Sequence, residues 1–181
     1  MSDSLRTAHT GELPPRTLDA IRAMLDAAFD GDFGDEDWDH GLGGVHAWVR
    51  DERGVAAHGS VIMRRVAHAG RSHRVGYVEA VAVRPDRRRQ GLGGRVMAAL
   101  EEVVDGAYAF GALSASEEGV ELYRGRGWQL WNGRIEAYGP DGVVHLPDEE
   151  DSTYLRPSLG RLLPAAEDGA LAFDWRDGDV L

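Results

Sequence analysis

The chain has 181 residues, 43% of them hydrophobic and 28% charged, a size and balance that fit one globular domain with a buried core. It has no cysteine, which excludes disulfides, thiolate metal ligands and thiol nucleophiles, and its 20 basic residues are all arginine, which excludes a lysine Schiff base. A net charge of −11 disfavours nucleic acid as a partner and favours cations, and no apolar run approaches the roughly 20 residues of a membrane span.

Met1–Thr10 lacks the apolar centre of an export signal, so a cytoplasmic protein without membrane contact is expected. Leu5–His9 reads as a first strand, and Pro14-Pro15 break the chain after it. Leu18, Ile21, Met24, Leu25, Ala28 and Phe29 recur at helical spacing, with Thr17 as the N-cap and Gly31 as the stop. Asp35 is expected to cap a short second helix through Trp38 and His40, with His40 expected at the surface. Gly41, Gly43 and Gly44 then mark a loop. Three strands follow, at His46–Arg50, Val55–Val66 and His73–Val83; the last alternates and is rich in valine, as a central strand is. An arginine- and glycine-rich loop leads into an amphipathic helix over Val96–Val104, ended by Gly106, and then a strand at Tyr108–Leu113.

Ser116 reads as the cap of a helix holding Val120, Leu122 and Tyr123. Beyond it the pattern predicts strands at Trp128–Trp131 and Ile135–Tyr138, joined as a hairpin by Asn132-Gly133. A second turn at Asp141-Gly142 leads into Val143–Leu146. Further strands are expected at Ser152–Arg156 and Ala170–Trp175, around a surface loop at 157–168. The order βααβββαβαβ with a β-rich tail predicts a single α+β domain over 1–181. Its mixed sheet and flanking helices would make a three-layer, αβα-like core over 1–131 and an extension over 132–181.

Charge is segregated. Acids crowd Asp26–Asp39, Asp148–Asp151 and the end of the chain at Asp174, Asp177 and Asp179, whereas Arg84, Arg87, Arg88 and Arg89 form one basic patch. Two patches of opposite sign suggest two ligands of opposite charge. The basic patch runs into Arg88-Arg89-Gln90-Gly91-Leu92-Gly93-Gly94, between the valine-rich strand and a helix. Glycines there let a backbone approach a ligand, and the unpaired N–H groups and positive dipole end of the helix attract an anion. Neither the Gly-x-Gly-x-x-Gly of dinucleotide-binding folds nor the lysine-bearing phosphate loop is present. The seven histidines are scattered without metal-ligand spacing, and no metal is expected.

Arg88-x-x-Gly91-x-Gly93 after Val-Glu-Ala-Val-Ala-Val83 resembles the pyrophosphate loop of the GNAT superfamily of acetyltransferases. The resemblance implies acetyl-CoA as cosubstrate. Its diphosphate would lie on Arg88, Arg89, Gln90, Gly91, Gly93 and Gly94. A strand bulge over Val81, Ala82 and Val83 would supply backbone donors to the pantetheine arm and the thioester oxygen. Gly31-Asp-Phe33, Asp37-Trp38, Leu42-Gly-Gly44, Gly76-Tyr-Val-Glu79, Gly111-Ala-Leu-Ser114, Leu122-Tyr123, Arg126-Gly-Trp128, Pro147-Asp148 and Asp174-Trp175 are similar to the aminoglycoside 2′-N-acetyltransferases within that superfamily. That closer resemblance implies direct transfer to the 2′-amine of an aminoglycoside or related polycationic amino-sugar, antibiotic resistance, and a homodimer.

On the residues alone Glu79 is either a base or a paired or solvent-facing strand carboxylate, and Tyr123 either an acid or a packed helix aromatic. The resemblance implies Glu79 as base, directly or through a water, and Tyr123 as acid for the thiolate. It implies Asp32, Asp37, Ser114 and Asp179 as acceptor contacts, with Glu149 and Glu150 both candidates because this segment is one residue longer than the family pattern. The chain ends at Leu181 where relatives carry an aromatic residue, so a terminal carboxylate is expected without ring stacking. Other readings are an acetyltransferase for a cell-wall amino-sugar, a polyamine or a protein amine, and a non-catalytic acyl-CoA sensor.

Overall fold

The computed structural model describes residues 3–181, which divide into two units: residues up to Ile62 together with Val78–Val103, and Met63–Tyr77 together with Val104–Leu181. In the first unit β1 (Ser4–His9) pairs antiparallel with β2 (Val45–Asp51), and β2 pairs antiparallel with β3 (Gly54–His68), placing Trp48 opposite His58 and His46 opposite Ser60. β3 and β4 (Arg71–Val83) each contribute to both units.

Helix α1 (Pro15–Ala28) starts earlier than Thr17. Pro15 takes its first position and Pro14 its cap, because proline's fixed φ suits a first helical residue and its missing N–H is no loss there. The expected stripe is the buried one. Ile21, Met24, Leu25 and Ala28 pack with Leu13, Phe33, Trp48 and Val55 into one core cluster. In α2 (Asp35–His40) the cap comes from Asp37 rather than Asp35, its Oδ2 accepting from the Gly34 N–H at 2.7 Å. His40 is buried, 8% exposed, and not at the surface. The chain after it lies on β3, since a Cβ on Gly41 would sit 3.2 Å from Ser60 Oγ. Helix α3 (Leu92–Ala107) exceeds the expected range at both ends and buries Leu92, Val96, Met97, Leu100 and Val104. It lies close on β3 because Gly59 has no side chain there; a Cβ would be 3.0 Å from both Leu100 Cδ1 and Val96 Cγ1.

The second unit contains β5 (Phe110–Ser114), α4 (Val120–Arg124), β6 (Gln129–Leu130), β7 (Ile135–Gly139), β8 (Gly142–His145), β9 (Thr153–Pro157) and β10 (Leu171–Asp174). Its strands run in the order β6-β9-β5-β4-β3-β10-β7-β8. The β4–β5 and β7–β10 pairs are parallel, whereas the β5–β9, β6–β9, β7–β8 and β3–β10 pairs are antiparallel, which makes the α+β fold's sheet mixed. The second hairpin forms with its turn one residue earlier than expected, at Pro140-Asp141, and Gly139 lies opposite Gly142. The Asn132-Gly133 hairpin does not. β6 pairs with β9, and β7 pairs with β8 and β10. The Trp131 indole fills the space over Gly133, where a Cβ would be 2.8 Å away, and tertiary pairing outweighs the local turn preference. Ser116 does not cap α4 either. Gly119 is the N-cap, and the Ser116 carbonyl accepts its N–H at 2.9 Å in a preceding turn.

The last residues of the chain are held by Arg64, whose side chain is 2% exposed. Its Nε donates to Asp174 Oδ1 at 2.8 Å, its Nη2 to the Asp174 carbonyl at 2.5 Å and its Nη1 to the Val180 carbonyl at 2.6 Å. The guanidinium carbon lies 5.0 Å from the Tyr77 ring centre and 5.2 Å from that of Phe173, so charge, hydrogen bonds and π faces all hold one group.

Candidate active site

The first unit carries the strand bulge and the glycine loop. Ala80, inside β4, has φ +49°, a left-handed conformation that costs a side-chain-bearing residue about 1–3 kcal/mol. Glu79 lies just before it and Val81, Ala82 and Val83 just after, all half-buried. After a 3-10 turn at Pro85–Arg87, Arg89 (φ +58°) and Gly91 (φ +76°) bend the chain into α3. The Arg95 N–H bonds to the Gly91 carbonyl at 3.1 Å, which leaves the N–H groups of Leu92, Gly93 and Gly94 as the first-turn donors without an intrahelical acceptor. A Cβ on Gly91 would meet nothing within 4 Å. An open left-handed glycine at the positive end of a 16-residue helix is a fit for a diphosphate.

The basic patch is less uniform than its sequence. Arg84 is paired with Asp51 at 2.7 Å and Asp86 at 2.6 Å, and Arg87 with Asp3 at 2.7 Å and with Asp51. The hydrogen bond from Arg84 is the main reason the Asp51 carboxyl is pulled down to about 2. Arg88 braces the loop, its Nη2 donating to the Ala28 carbonyl at 3.0 Å, at the end of α1. The Gln90 side chain turns back to Arg87 and the Asp86 carbonyl, so only its backbone is available to a ligand. The exposed Arg89 guanidinium makes no ion pair or hydrogen bond among the described residues.

Next to the bulge lie two histidines that the sequence treats as scattered. His46 and His58 are buried and share a hydrogen bond of 2.9 Å between His46 Nδ1 and His58 Nε2. Burial, with the neighbouring His9, lowers His46 to about 4. Burial, with His46 itself, lowers His58 to about 3. Both are therefore neutral in the native state near pH 7, whereas in the unfolded chain they protonate near 6.5. Below that value the unfolded state binds more protons, so stability is full above about pH 6.5 and declines as pH falls toward 4. The melting temperature should follow this course. A variant with both histidines replaced by leucine should melt with a flatter pH dependence between 6.5 and 4.

The second unit carries the remaining candidates. Tyr123 is buried in α4, its ring against Gly119, where a Cβ would be 2.7 Å from Tyr123 Cε2, and at 6.4 Å from the Trp128 ring. Ser114, at the end of β5, has its Oγ 3.1 Å from Glu149 Oε2 and 3.0 Å from Ser152 Oγ, and Ser152 Oγ is 2.9 Å from the same carboxylate oxygen. Glu150 goes elsewhere. Its Oε1 meets His145 Nε2 at 2.7 Å and the Ile135 N–H at 3.3 Å, beside a cavity of about 520 Å³ lined by Trp131, Asn132 and Arg134. Its pKa is lowered, chiefly by the His145 hydrogen bond. Asp179 is exposed and Leu181 is buried. Back in the first unit, Asp32 is exposed in the loop after α1, and Asp37 spends one oxygen on the α2 cap.

A further cavity in the first unit, about 920 Å³, contains none of these residues. It is lined by Arg6, Arg16 and Arg50, the wrong sign for a polycation. The residues missed from the sequence are Ala80, His46, His58 and Ser152. The histidine pair follows from the hairpin register only diagonally: His46 lies opposite Ser60 and His58 opposite Trp48, which puts the two rings two positions apart on one face. Nothing in the sequence marked the left-handed Ala80.

The model of the acetyltransferase (GNAT) family matches residues 11–128. The chain is 43% identical over 179 residues, 97% of its length and 90% of the relative's, to an aminoglycoside 2′-N-acetyltransferase of Mycolicibacterium fortuitum. Among solved structures it resembles a GNAT family N-acetyltransferase (YhbS) of Escherichia coli in complex with CoA, with TM-score 0.63, 17% identity, and 94% of this chain and 89% of that one covered. It also resembles a GNAT family acetyltransferase of Brucella melitensis in complex with acetyl-CoA, with TM-score 0.59, 16% identity and coverage of 93% and 95%. Against some larger neighbours it spans 34% of their length. The open glycine loop, the bulged strand before it and these likenesses agree: the chain belongs to the GNAT acetyltransferase family.

Proposed function

We propose that the whole chain acts as one acetyl-CoA-dependent N-acetyltransferase domain whose acceptor is the 2′-amine of an aminoglycoside or a related polycationic amino-sugar. The observation that carries this reading is the 43% identity, over 97% of the chain, to an enzyme of that name. The glycine loop supports the cosubstrate. The N–H groups of Leu92, Gly93 and Gly94 and the guanidinium of Arg89 hold the diphosphate, while Arg88 acts by bracing the loop. When bound, acetyl-CoA supplies an activated acyl group. The Val81 and Val83 N–H groups bind its carbonyl oxygen, where charge develops during attack. Glu79 accepts a proton from the acceptor's ammonium group, directly or through a water, so that a neutral amine attacks the thioester, and the Tyr123 hydroxyl gives a proton to the departing sulfur. Asp32, Asp37, Glu149 and Asp179 supply counter-charge to the acceptor's ammonium groups.

Acetylation turns one ammonium into a neutral amide, which weakens a polycationic drug's hold on an anionic target, so the enzyme confers resistance in the cytoplasm. A homodimer is its proposed state. Mass spectrometry of a 2′-amino aminoglycoside incubated with protein and acetyl-CoA tests the reading. One acetyl group mapped to the 2′ nitrogen is expected, and transfer to another nitrogen, or none, overturns it. The Ser114–Ser152–Glu149 cluster favours Glu149 over Glu150 as the acceptor contact. Glu149→Gln should raise the acceptor KM about tenfold, the scale of one charge-assisted hydrogen bond, with the KM for acetyl-CoA unmoved; Glu150→Gln should leave both within about twofold.

A further inference from the structure

The carbonyl of Ala80 terminates a buried chain of polar groups. Thr10 Oγ1 lies 2.8 Å from His46 Nε2, His46 Nδ1 lies 2.9 Å from His58 Nε2, and His58 Nδ1 lies 3.0 Å from the Ala80 oxygen. The last contact sets the direction of all the others. A carbonyl oxygen only accepts, so His58 carries its proton on Nδ1 and, as a neutral ring, accepts at Nε2. His46 must then donate from Nδ1 and accept at Nε2, from the Thr10 hydroxyl, whose one proton goes to the ring at 2.8 Å in preference to the Gly44 carbonyl at 3.2 Å. Thr10 is itself anchored, its Oγ1 accepting the Gly43 N–H at 2.9 Å.

Such a chain cannot carry a proton to the reaction, because it ends on a backbone amide oxygen. What it does is hold that oxygen in place. The Ala80 carbonyl and the Val81 N–H belong to one planar trans peptide and point in opposite directions within it, so whatever orients the first orients the second. The orientation needs holding here, since Ala80 sits at φ +49° in the middle of a strand. Both rings are inaccessible, at 0% and 1% exposure, so no water competes for these bonds.

We propose that Thr10, His46 and His58 form a positioning relay that aims the Val81 N–H at the acyl oxygen. This rests on the functional reading above. None of the three touches a reacting atom.

The two amide replacements of histidine separate this role from simple packing. Asparagine places its NH₂ near the position of Nδ1 and preserves the bond to Ala80; glutamine reaches the position of Nε2 and loses it. His58→Gln should lower kcat by about tenfold or more, up to the roughly 10²–10³-fold of losing an oxyanion donor outright, with the KM of the acceptor changed by less than about twofold. His58→Asn should keep kcat within about threefold of the native enzyme. Equal losses in both variants, or no loss in either, overturn the relay. ¹⁵N NMR of the native protein gives a second measure that survives a misfolded variant. Both His46 and His58 should be neutral Nδ1–H tautomers at pH 7, and an Nε2–H tautomer at His58 overturns the proposal. Failure of the functional reading shows separately, as a native protein that acetylates no amine.

Discussion

Replacing Tyr123 with phenylalanine should lower turnover by about 10²–10³-fold while leaving the affinity for acetyl-CoA within about twofold, the signature of losing one general acid. The substitution is well suited to the question. The Tyr123 ring is buried, lies against Gly119 and meets Trp128 edge to face, and phenylalanine keeps all of those contacts. Only the hydroxyl is removed. A thiol near 8.5 and a phenol near 10 are unequal acids, so proton transfer to the sulfur depends on positioning and not on a strong free-energy gradient. Thiol release followed in parallel with calorimetric titration of CoA checks the split. Equal turnover in Tyr123→Phe would return the residue to a packing role.

Arg64→Ala should destabilise the protein by about 2–4 kcal/mol. The guanidinium is nearly inaccessible and is compensated by one carboxylate oxygen, two backbone carbonyls and two aromatic faces, and alanine leaves those carbonyls without their donor. The Asp174 carboxylate, 48% exposed, can return to water, which keeps the loss below that of a fully buried pair. Urea unfolding should show a lower midpoint at unchanged slope. Because the Arg64 bonds to Asp174 and Val180 flank Asp179, the same variant should be cut earlier at its C-terminus under limited proteolysis and should show a raised acceptor KM.

Sequence periodicity determined the buried face of α1, the valine-rich β4 and the placing of Gly91 between that strand and α3, with Gly93 in the helix's first turn. Such features depend on residues within a few positions of one another, and a window of sequence contains them whole. The β7–β8 hairpin belongs with them to within one residue, its turn falling at Pro140-Asp141, because the strands it joins also pair with each other. At Asn132-Gly133 the same local preference loses, because β6 pairs with β9, and β7 with β8 and β10.

The candidate site was legible as residue types and only partly as contacts. Glu149 and Glu150 are adjacent and chemically near-equal; the 3-10 turn at Pro147–Glu149 directs one to Ser114 and the other to His145. Arg84 and Arg87 read as ligands for an anion and prove to be neutralised by Asp51 and Asp86, or by Asp51 and Asp3. The Thr10–His46–His58 chain joins three strand-borne or strand-flanking groups through strand register alone. In each case the sequence determined which groups were available and tertiary pairing determined their partners. Hydrogen bonds and ion pairs act over about 3 Å in space, a distance that separation along the chain does not encode.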